Sequence, residues 1–318
     1  MEQRGLTVHN FVVLFWPSTV GGITRGAIYA LVALGYTLVY GVLQLINFAH
    51  SEVFMVGTFA ALFTLHAAGI SAAQSGLALV GVFLLMILAG IVGSSVTALV
   101  LERVAYRPLR RRTTSRLAAL ITAIGASFTL QEIFGLRYGR DKLVFPRVLN
   151  RHVLFHIGSA EVRNDMVVVV VAALVMMVAL DRFVGSTRLG RGIRATSQDP
   201  QTAILMGVDI DRVIVVTFLL GGVMAGVAAG LYGLFFEVTQ YNIGFLIGIK
   251  AFTAAVLGGI GNLRGALLGG FVLGLIESYG ASIFGAKWQD VVAFAVLPLV
   301  LLFRPTGLLG EQLAKARS

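Results

Sequence analysis

Long runs without a charged residue constrain how this chain can fold more than any other feature. The stretches 26–49, 53–101 and 213–236 contain no Asp, Glu, Lys or Arg. An α-helix needs about 20 predominantly apolar residues to cross about 30 Å of hydrocarbon. These runs are at least that long, and they lack the short alternating pattern of outer-membrane barrel strands. Only 13% of the 318 residues are charged, whereas about 25% is usual for a soluble domain. The sequence therefore predicts an all-α, polytopic membrane protein.

The apolar pattern predicts about eight or nine transmembrane helices in a single membrane domain over residues 1–318. Two regions, 44–60 and 245–270, contain glycine and polar residues that interrupt the apolar pattern. Broken helices can replace complete crossings in such regions. We predict spans near 20–44, 50–70, 76–101, 117–136, 166–183, 213–236, 245–260, 263–283 and 288–303.

Basic residues cluster between the predicted spans and indicate the orientation. Residues 102–116 contain six Arg and one Glu, and residues 181–212 contain five Arg. The positive-inside rule places both loops, and the carboxyl-terminal tail, in the cytoplasm. Residues 137–165 must then lie outside the cell, although this segment contains six cationic residues and only three acidic ones. Because the basic clusters adjoin apolar spans, membrane orientation explains them better than nucleic-acid binding. The chain has no cysteine, and we expect neither a metal nor another cofactor.

The stretch LINFAHSEV, residues 45–53, places Asn47, His50 and Glu52 within a strongly apolar region. A charged side chain at the bilayer centre costs about 2.5–3.5 kcal/mol on insertion scales. Two interpretations are open. The stretch is either a tight connection at the membrane surface, or a discontinuous helix whose polar groups line a cavity or lock two helices together. In the second case Asn47, His50 and Glu52 are candidate residues of a translocation pathway.

Two sets of glycines spaced four residues apart predict smooth helix faces. We expect Gly222, Gly226 and Gly230 to allow close packing against another helix. Gly261 and Gly265 of the second set lie within the stretch GGIGNLRG, residues 258–265, and Gly269 follows it; the glycine and polar residues of this stretch predict a broken helix. Asn262 and Arg264 in that break are weaker pathway candidates. Glu277 is either a carboxylate at the outer interface, which we favour, or the buried partner of a basic residue.

The loop 186–213 contains the sequence signals of a short helix. Asp199 is suited to the N-cap, Pro200 to the first helical position and Gly207 to the stop, with apolar residues from Ala203 to Met206 between them. We therefore predict a helix over 200–206. So short a loop offers no core of its own, so this apolar face should pack on the membrane face of the protein or on another protein.

Four blocks of the sequence stand out together. In chain order they are GAIYALVALGYTLVYGVLQLINFAHSEVFMVGTF, ERVAYRPLR, GRGIRATSQDPQTAILMGVDIDRVIVVTF and KAFTAAVLGGIGNLRGALLGGFVLGLIES. These blocks resemble the permease subunits of bacterial branched-chain amino acid ABC transporters, specifically the partner that carries NFAH. The resemblance covers about residues 20–310, with two departures: Ser51 stands where the family commonly has Gly, and Gly192 replaces a usual Ala.

The resemblance implies a multi-pass protein of the bacterial inner membrane that translocates leucine, isoleucine and valine by ATP-driven alternating access. It also implies a second permease subunit, with a heterodimer expected, two ATPase subunits and a periplasmic substrate-binding protein. The cytoplasmic loop near 185–212 would couple the chain to the ATPase. By this resemblance the coupling residues are Gly190, Arg191, Arg194, Asp199, Ala203, Met206 and Gly207.

The chain itself has no phosphate-binding G-x-x-x-x-G-K-[ST] motif, because it contains no Gly-Lys pair. We therefore expect a transport subunit rather than an enzyme. Urea, short amides and other amino acids are alternative substrates in the same family. An ion-coupled secondary transporter is a further alternative, in which Glu52, Glu237 or Glu277 would serve proton coupling.

Overall fold

The computed structural model describes residues 8–112, 116–304 and 306–310, and most of them are helical. A π-helical turn, Glu102–Tyr106, joins α3 to α4, and a 3₁₀ turn, Ala286–Trp288, precedes α12. The helices are α1 (Val8–Leu43), α2 (His50–Ala67), α3 (Gly76–Leu101), α4 (Arg107–Arg112), α5 (Arg116–Tyr138), α6 (Asn164–Ser186), α7 (Arg188–Gln198), α8 (Pro200–Leu205), α9 (Ile210–Phe236), α10 (Ile243–Gly258), α11 (Leu263–Phe284) and α12 (Gln289–Phe303).

Four short strands form two antiparallel pairs. The strands are β1 (Leu143–Val144), β2 (Val153–Ile157), β3 (Ala160–Arg163) and β4 (Val238–Thr239). Strand β1 pairs with β4, with Leu143 opposite Thr239, and β2 forms a hairpin with β3, with Ile157 opposite Ala160. The sequence pattern predicted none of these strands, and they make up only a small part of the fold.

The prediction of a polytopic all-α membrane protein is confirmed. Within the described residues, seven helical stretches are long and apolar enough to cross a membrane. They are Val13–Leu43, Gly76–Arg110, Leu117–Tyr138, Asn164–Ser186, Ile210–Phe236, Leu263–Phe284 and Ala286–Phe303. The other two predicted spans form the shorter helices α2 and α10, of 18 and 16 residues. These two helices lie where the sequence predicted interruptions.

Helices α1 and α9 form the centre of the fold and are mostly buried, whereas α3, α5, α6 and α12 have exposed apolar faces suited to lipid. The glycines of α9 allow the close helix packing that was predicted, and the partner helix is α3. A Cβ on Gly226 would collide with the backbone of Gly90 and Ile91, and one on Gly222 would lie 2.8 Å from Cα of Ser95. The glycine spacing of α9 therefore permits backbone contact between two helices.

The second set of glycines holds α10 and α11 together as a helical hairpin. Gly261 lies in the connecting turn with φ = 97°. A Cβ on Gly265 or Gly269 would meet backbone atoms of α10. The predicted break is therefore the turn between two helices. The segment 306–310 covers this turn, since the backbone amides of Leu308 and Leu309 donate to carbonyl oxygens at the end of α10.

Helix α1 continues through Pro17, where the sequence predicted a later start near residue 20. Proline has no N–H, so the carbonyl of Val13 loses its usual partner four residues on. The Ser159 hydroxyl donates to that carbonyl at 2.6 Å. A side chain from the turn of the β2–β3 hairpin thus supplies the hydrogen bond that Pro17 cannot make.

We call the end of the bundle that carries the β2–β3 hairpin the hairpin end. Basic residues there are paired: Arg151 lies 3.2 Å from Asp165 and 2.9 Å from Glu237, and Arg140 lies 2.8 Å from Glu132. These ion pairs offset part of the excess of cationic residues in the segment 137–165. The opposite end carries α7, α8, the α10–α11 turn and the segment that joins α1 to α2.

Candidate functional site

The connection between α1 and α2, residues 44–49, is a non-helical break at the end of the bundle opposite the hairpin. Gln44 has φ = 52°, in the left-handed region that few residues other than glycine adopt. Helix α2 then begins at His50. Asn47, His50 and Glu52 are all buried. Both His50 and Glu52 therefore face protein, and their place in a translocation pathway stays a prediction.

Asn47 is held by a residue from the π-helical turn. The hydroxyl of Tyr106 donates to Asn47 Oδ1 at 2.7 Å, and both residues are buried. The Tyr106 ring packs against Phe218 of α9, with 5.3 Å between ring centroids. Tyr106 therefore joins the α1–α2 break to the turn after α3 and to α9, and nothing in the sequence pattern pointed to this residue.

His50 occupies a space that glycines create. A Cβ on Gly35 of α1 would collide with the imidazole, and one on Gly221 of α9 would lie 3.3 Å from Cε1. The imidazole lies edge-on to the Tyr36 ring, with 4.9 Å between centroids. Its Nε2 has no hydrogen-bond partner among the described residues. His50 therefore packs between α1 and α9 at the start of α2.

Glu52 lies where the first turns of α2 and α10 meet. Its Oε1 accepts from Ser127 of α5 at 3.1 Å and from Ser51 at 3.4 Å. Its Oε2 lies close to Gly244, where a Cβ would be only 2.5 Å away, and has no hydrogen-bond partner among the described residues. The Ser51 hydroxyl also donates to the carbonyl of Phe48 at 2.6 Å. The chain thus forms this break with Ser51 at the position that is commonly Gly in the resembled family.

A cleft opens beside the break, between the end of α1, the 44–49 segment and α10. Its lining is mostly apolar and aromatic, with Asn47 as the amide side chain. The lining residues are Tyr36, Tyr40, Ile46, Asn47, Phe252, Ala255 and Ile260. Of the five predicted pathway candidates, Asn47 lines this cleft, while His50 and Glu52 lie behind it in the first turn of α2.

The two weaker pathway candidates have other contacts. Asn262 caps α11: its Oδ1 accepts from the Gly265 amide at 3.1 Å, and its Nδ2 donates to the Leu309 carbonyl at 2.9 Å. Arg264 is largely exposed and pairs with Asp181 of α6 at 3.0 Å. A helix cap and an exposed ion pair account for these two residues, and neither lines the cleft.

The short helix predicted near 200–206 is present as α8. Asp199 is its N-cap, and its Oδ1 accepts from the amides of Gln201 and Thr202 at 2.9 and 3.2 Å. The hydrogen bond from the Thr202 hydroxyl, together with these amides, lowers the pKa of Asp199. Gly207 ends this segment with φ = 81°. The predicted cap and stop are both confirmed.

Helix α8 presents an apolar surface at the end opposite the hairpin. We call Ile204, Leu205 and Met206 the α8 apolar surface; their side chains are 58%, 86% and 80% exposed. Ala203 is 3% exposed, so it packs within the chain and is not available for direct contact with a partner. Of the apolar residues in the predicted coupling helix, only the last three can bind another protein directly.

Helix α7 precedes α8, and its basic residues fasten this segment to α6. Arg191 and Arg194 donate to the carbonyls of Ser186 and Gly185, at 3.2 and 3.0 Å. A Cβ on Gly190 would collide with carbonyl groups of α6. Gly192 leaves α7 intact and packs near Val213 of α9. The segment is thus attached to two spanning helices, and the sequence analysis did not predict α7 as a helix.

A buried ion pair was missing from the predicted site. Lys250 Nζ lies 2.9 Å from Glu277 Oε1, which also accepts from the Tyr29 hydroxyl at 3.1 Å. Gln289 donates to the same oxygen, and Asp290 lies 2.6 Å from Lys250. The favoured prediction of an interfacial Glu277 is wrong, because the side chain is fully buried. The alternative prediction, in which Glu277 is the buried partner of a basic residue, is confirmed. A lone lysine inside the apolar segment 245–260 was the available signal.

Sequence comparisons find one matching family model and several similar transport permeases. The family model described as branched-chain amino acid transport system, permease component, matches residues 18–301. The high-affinity branched-chain amino acid transport system permease protein BraD of Pseudomonas aeruginosa is 43% identical over 296 residues, 92% of this chain and 94% of that protein. LivH of Escherichia coli K12 has the same description and is 42% identical over 304 residues, 93% and 96% of the two chains. A probable LivH of Methanocaldococcus jannaschii is 26% identical over 309 residues, 93% of each chain.

Proposed function

The chain belongs to the branched-chain amino acid transport permease family, and on that premise we propose that it is the subunit through which an ATP-driven importer moves leucine, isoleucine and valine into the cell. It is a multi-pass protein of the cell inner membrane. The substrate follows from the descriptions of BraD and LivH, which are over 40% identical to it across nearly the whole chain.

The orientation follows from the positive-inside rule. The end that carries α7 and α8 also carries α4, part of the Arg-rich cluster, since Arg110 of α4 pairs with Asp211 at the start of α9. We place this end in the cytoplasm and the hairpin end outside. The ion pairs at the hairpin end support this orientation, because Asp165, Glu132 and Glu237 offset basic residues there.

The coupling proposal rests on one observation, the exposure of the α8 apolar surface. Three large apolar side chains stand exposed on a capped helix at the cytoplasmic end, where water would otherwise surround them. A complementary groove on an ATPase subunit would bury them as a helix-in-groove contact. The segment 185–212 is then the coupling loop, in which Arg191 and Arg194 hold α7 on the end of α6.

The partners are two ATPase subunits, a second permease subunit and a periplasmic substrate-binding protein. ATP hydrolysis belongs to the ATPase subunits, since the Gly-Lys pair of a phosphate-binding loop is absent from this sequence. The second permease is a different chain, so the pair is a heterodimer. The binding protein delivers the amino acid at the hairpin end.

The mechanism is alternating access. Closure of the ATPase dimer moves the coupling loop, and α6 and α9 move with it because the loop is fastened to both. The cleft beside Asn47 is the candidate inward-facing part of the pathway. Its lining is mostly apolar and aromatic, but it has room for only about one water molecule in this structure, so alternating access must widen it before an amino acid can pass. His50 and Glu52 fix the helix starts behind it.

Reconstitution tests the function. The chain, its second permease, the ATPase subunits and the binding protein should take up leucine, isoleucine and valine into proteoliposomes only when ATP is supplied. A panel with urea, short amides and other amino acids measures the substrate class. Uptake that follows a pH gradient without the ATPases would overturn the proposal in favour of an ion-coupled transporter.

The coupling surface has a separate test. Leu205→Asp and Met206→Asp place a charge on exposed apolar positions, so the complex should lose the ATPases in a pull-down while membrane insertion continues. Leu77→Asp is the matched control, because Leu77 is 91% exposed at the hairpin end. Normal ATPase binding in both α8 variants would remove the coupling assignment. Ala203→Asp is unsuitable for this test, because Ala203 is buried.

A further inference from the structure

A chain of polar contacts leads from the start of α9 to the π-helical turn. Asp211 in the first turn of α9 pairs with Arg110 of α4 at 2.5 Å. Arg110 lies 4.0 Å from Glu102, and Arg107 lies 3.2 Å from the same carboxylate oxygen. Glu102 is 2% exposed, so its charge is neutralised by these two arginines inside the protein. The start of α9 is therefore tied to the first residue of the π-helical turn.

The π-helical turn Glu102–Tyr106 interrupts the regular helix that would otherwise run from α3 into α4. π-helical turns are rare and often occur at functional sites. Such a turn holds one more residue than an α-helical turn. The residues after it are rotated relative to a continuous α-helix. Here the turn ends at Tyr106, whose hydroxyl donates to Asn47 at 2.7 Å. One end of this irregular turn is thus linked to the start of α9 through Arg110, and its other end contacts the α1–α2 break.

We propose that Tyr106 is a positioning residue that couples the α7–α8 segment to the pathway break. Asp211, Arg110 and Glu102 connect it to that segment, and its hydroxyl holds Asn47 at the cleft. Displacement of the coupling loop shifts the start of α9, which lies only a few residues after α8. The ion pairs carry that shift to the π-helical turn, and Tyr106 carries it to Asn47. This inference rests on the proposed function and adds the route from the loop to the cleft.

The phenol ring and the hydroxyl of Tyr106 have separable roles. The ring packs against Phe218 of α9, and this packing survives replacement by phenylalanine. The hydroxyl makes the contact with Asn47, and Tyr106→Phe removes only that. A purely structural role would reside mainly in the ring, whereas the proposed role requires the hydroxyl.

The test measures the number of amino acids imported per ATP hydrolysed by the reconstituted complex. Tyr106→Phe should bind the ATPases normally but lower this ratio about 2- to 10-fold, the change expected when one hydrogen bond is lost. Asn47→Ala should lower it similarly, and the double variant should show no further loss. Tyr279→Phe is the matched control, because it removes a 2.6 Å hydroxyl contact with Thr19 toward the hairpin end; its ratio should stay at the wild-type value.

The outcomes separate this inference from the proposed function. A wild-type complex without ATP-dependent uptake would refute the proposed function itself. An active wild-type complex whose ratio is unchanged in Tyr106→Phe would overturn only the role of Tyr106, and so would additive losses in the double variant. Asp211→Asn gives a second test at a half-exposed residue, where misfolding is not expected. It should lower the same ratio, and an unchanged ratio there would contradict the route through the ion pairs.

Discussion

The ammonium group of Lys250 lies 2.9 Å from the carboxylate of Glu277, and both side chains are buried within the helical bundle. Three helices meet at this pair, because Asp290 of α12 also lies 2.6 Å from Lys250. Removing one partner of a buried ion pair costs about 3–5 kcal/mol, because the other charge is left uncompensated. The pair should therefore contribute to the order of α10, α11 and α12.

Lys250→Met should destabilise the protein more than Glu277→Gln. The methionine variant leaves Glu277 buried without a cation, whereas the glutamine variant leaves Lys250 paired with the half-exposed Asp290. The loss in Lys250→Met should approach about 3–5 kcal/mol. Thermal unfolding of the purified variants in detergent gives the ranking. If Glu277→Gln were the less stable of the two variants, Asp290 would not be compensating the charge of Lys250.

Features that depend on residues close together in the chain were predictable from the sequence. The apolar runs predicted the spans, and the order of Asp199, Pro200 and Gly207 predicted α8, because caps and stops depend on neighbours in the chain. The break near residue 45 was predictable for the same reason, since polar groups interrupt an apolar run there.

Residues that act through distant partners were not predictable. Glu277 and Lys250 are 27 residues apart on different helices, and Tyr106 meets Asn47 across 59 positions. Asn262 and Arg264 resembled pathway residues because the sequence does not reveal whether a glycine-rich break is a hairpin turn or an opening in the pathway. The exposure of Met206 and the burial of Ala203 also required the structure, since both fit the same apolar pattern.

Replacing Gly226 of α9 with alanine should destabilise the protein, whereas the same change at Gly41 of α1 should not. A Cβ on Gly226 would collide with the backbone of Gly90 and Ile91, so Gly226→Ala must push α9 away from α3. Gly41 has no atom within 4 Å of the equivalent position. Gly41→Ala should be neutral or stabilise the helix by about 0.5–1 kcal/mol, as alanine is the better helix former. Unfolding temperatures in detergent compare the two, and equal temperatures would contradict the close packing of α9 on α3.

Asp199 should keep α8 capped throughout the neutral pH range. Hydrogen bonds from Thr202 and the adjacent amides lower the pKa of Asp199, so its contribution is present above the ordinary Asp value and is lost only as pH falls through the lowered value. ATPase binding should therefore not change with the ionisation of this residue between about pH 6 and pH 8. Asp199→Asn should keep the cap and the binding, while Asp199→Ala should weaken both. Pull-down titrations measure the difference, and equal binding by the alanine variant would show that the cap is dispensable.

Glu52→Gln should reduce uptake while the ATPases remain bound. The carboxyl group accepts from Ser127 and lies against Gly244 in the first turn of α10. Glutamine places an amide N–H₂ where one carboxyl oxygen stood, so the contacts that join the starts of α2 and α10 are altered beside the cleft. Because one hydrogen bond contributes about 0.5–1.5 kcal/mol, we expect uptake to fall about 2- to 10-fold.

Glu132→Gln is the control for Glu52→Gln, since it makes the same change at a half-exposed carboxylate that pairs with Arg140 at the hairpin end. Its uptake should equal that of the wild type. Normal uptake by Glu52→Gln would exclude Glu52 from the transport machinery. Loss of the ATPases from that variant would instead make Glu52 a structural residue of the cytoplasmic end, because a residue of the pathway alone has no reason to change their binding.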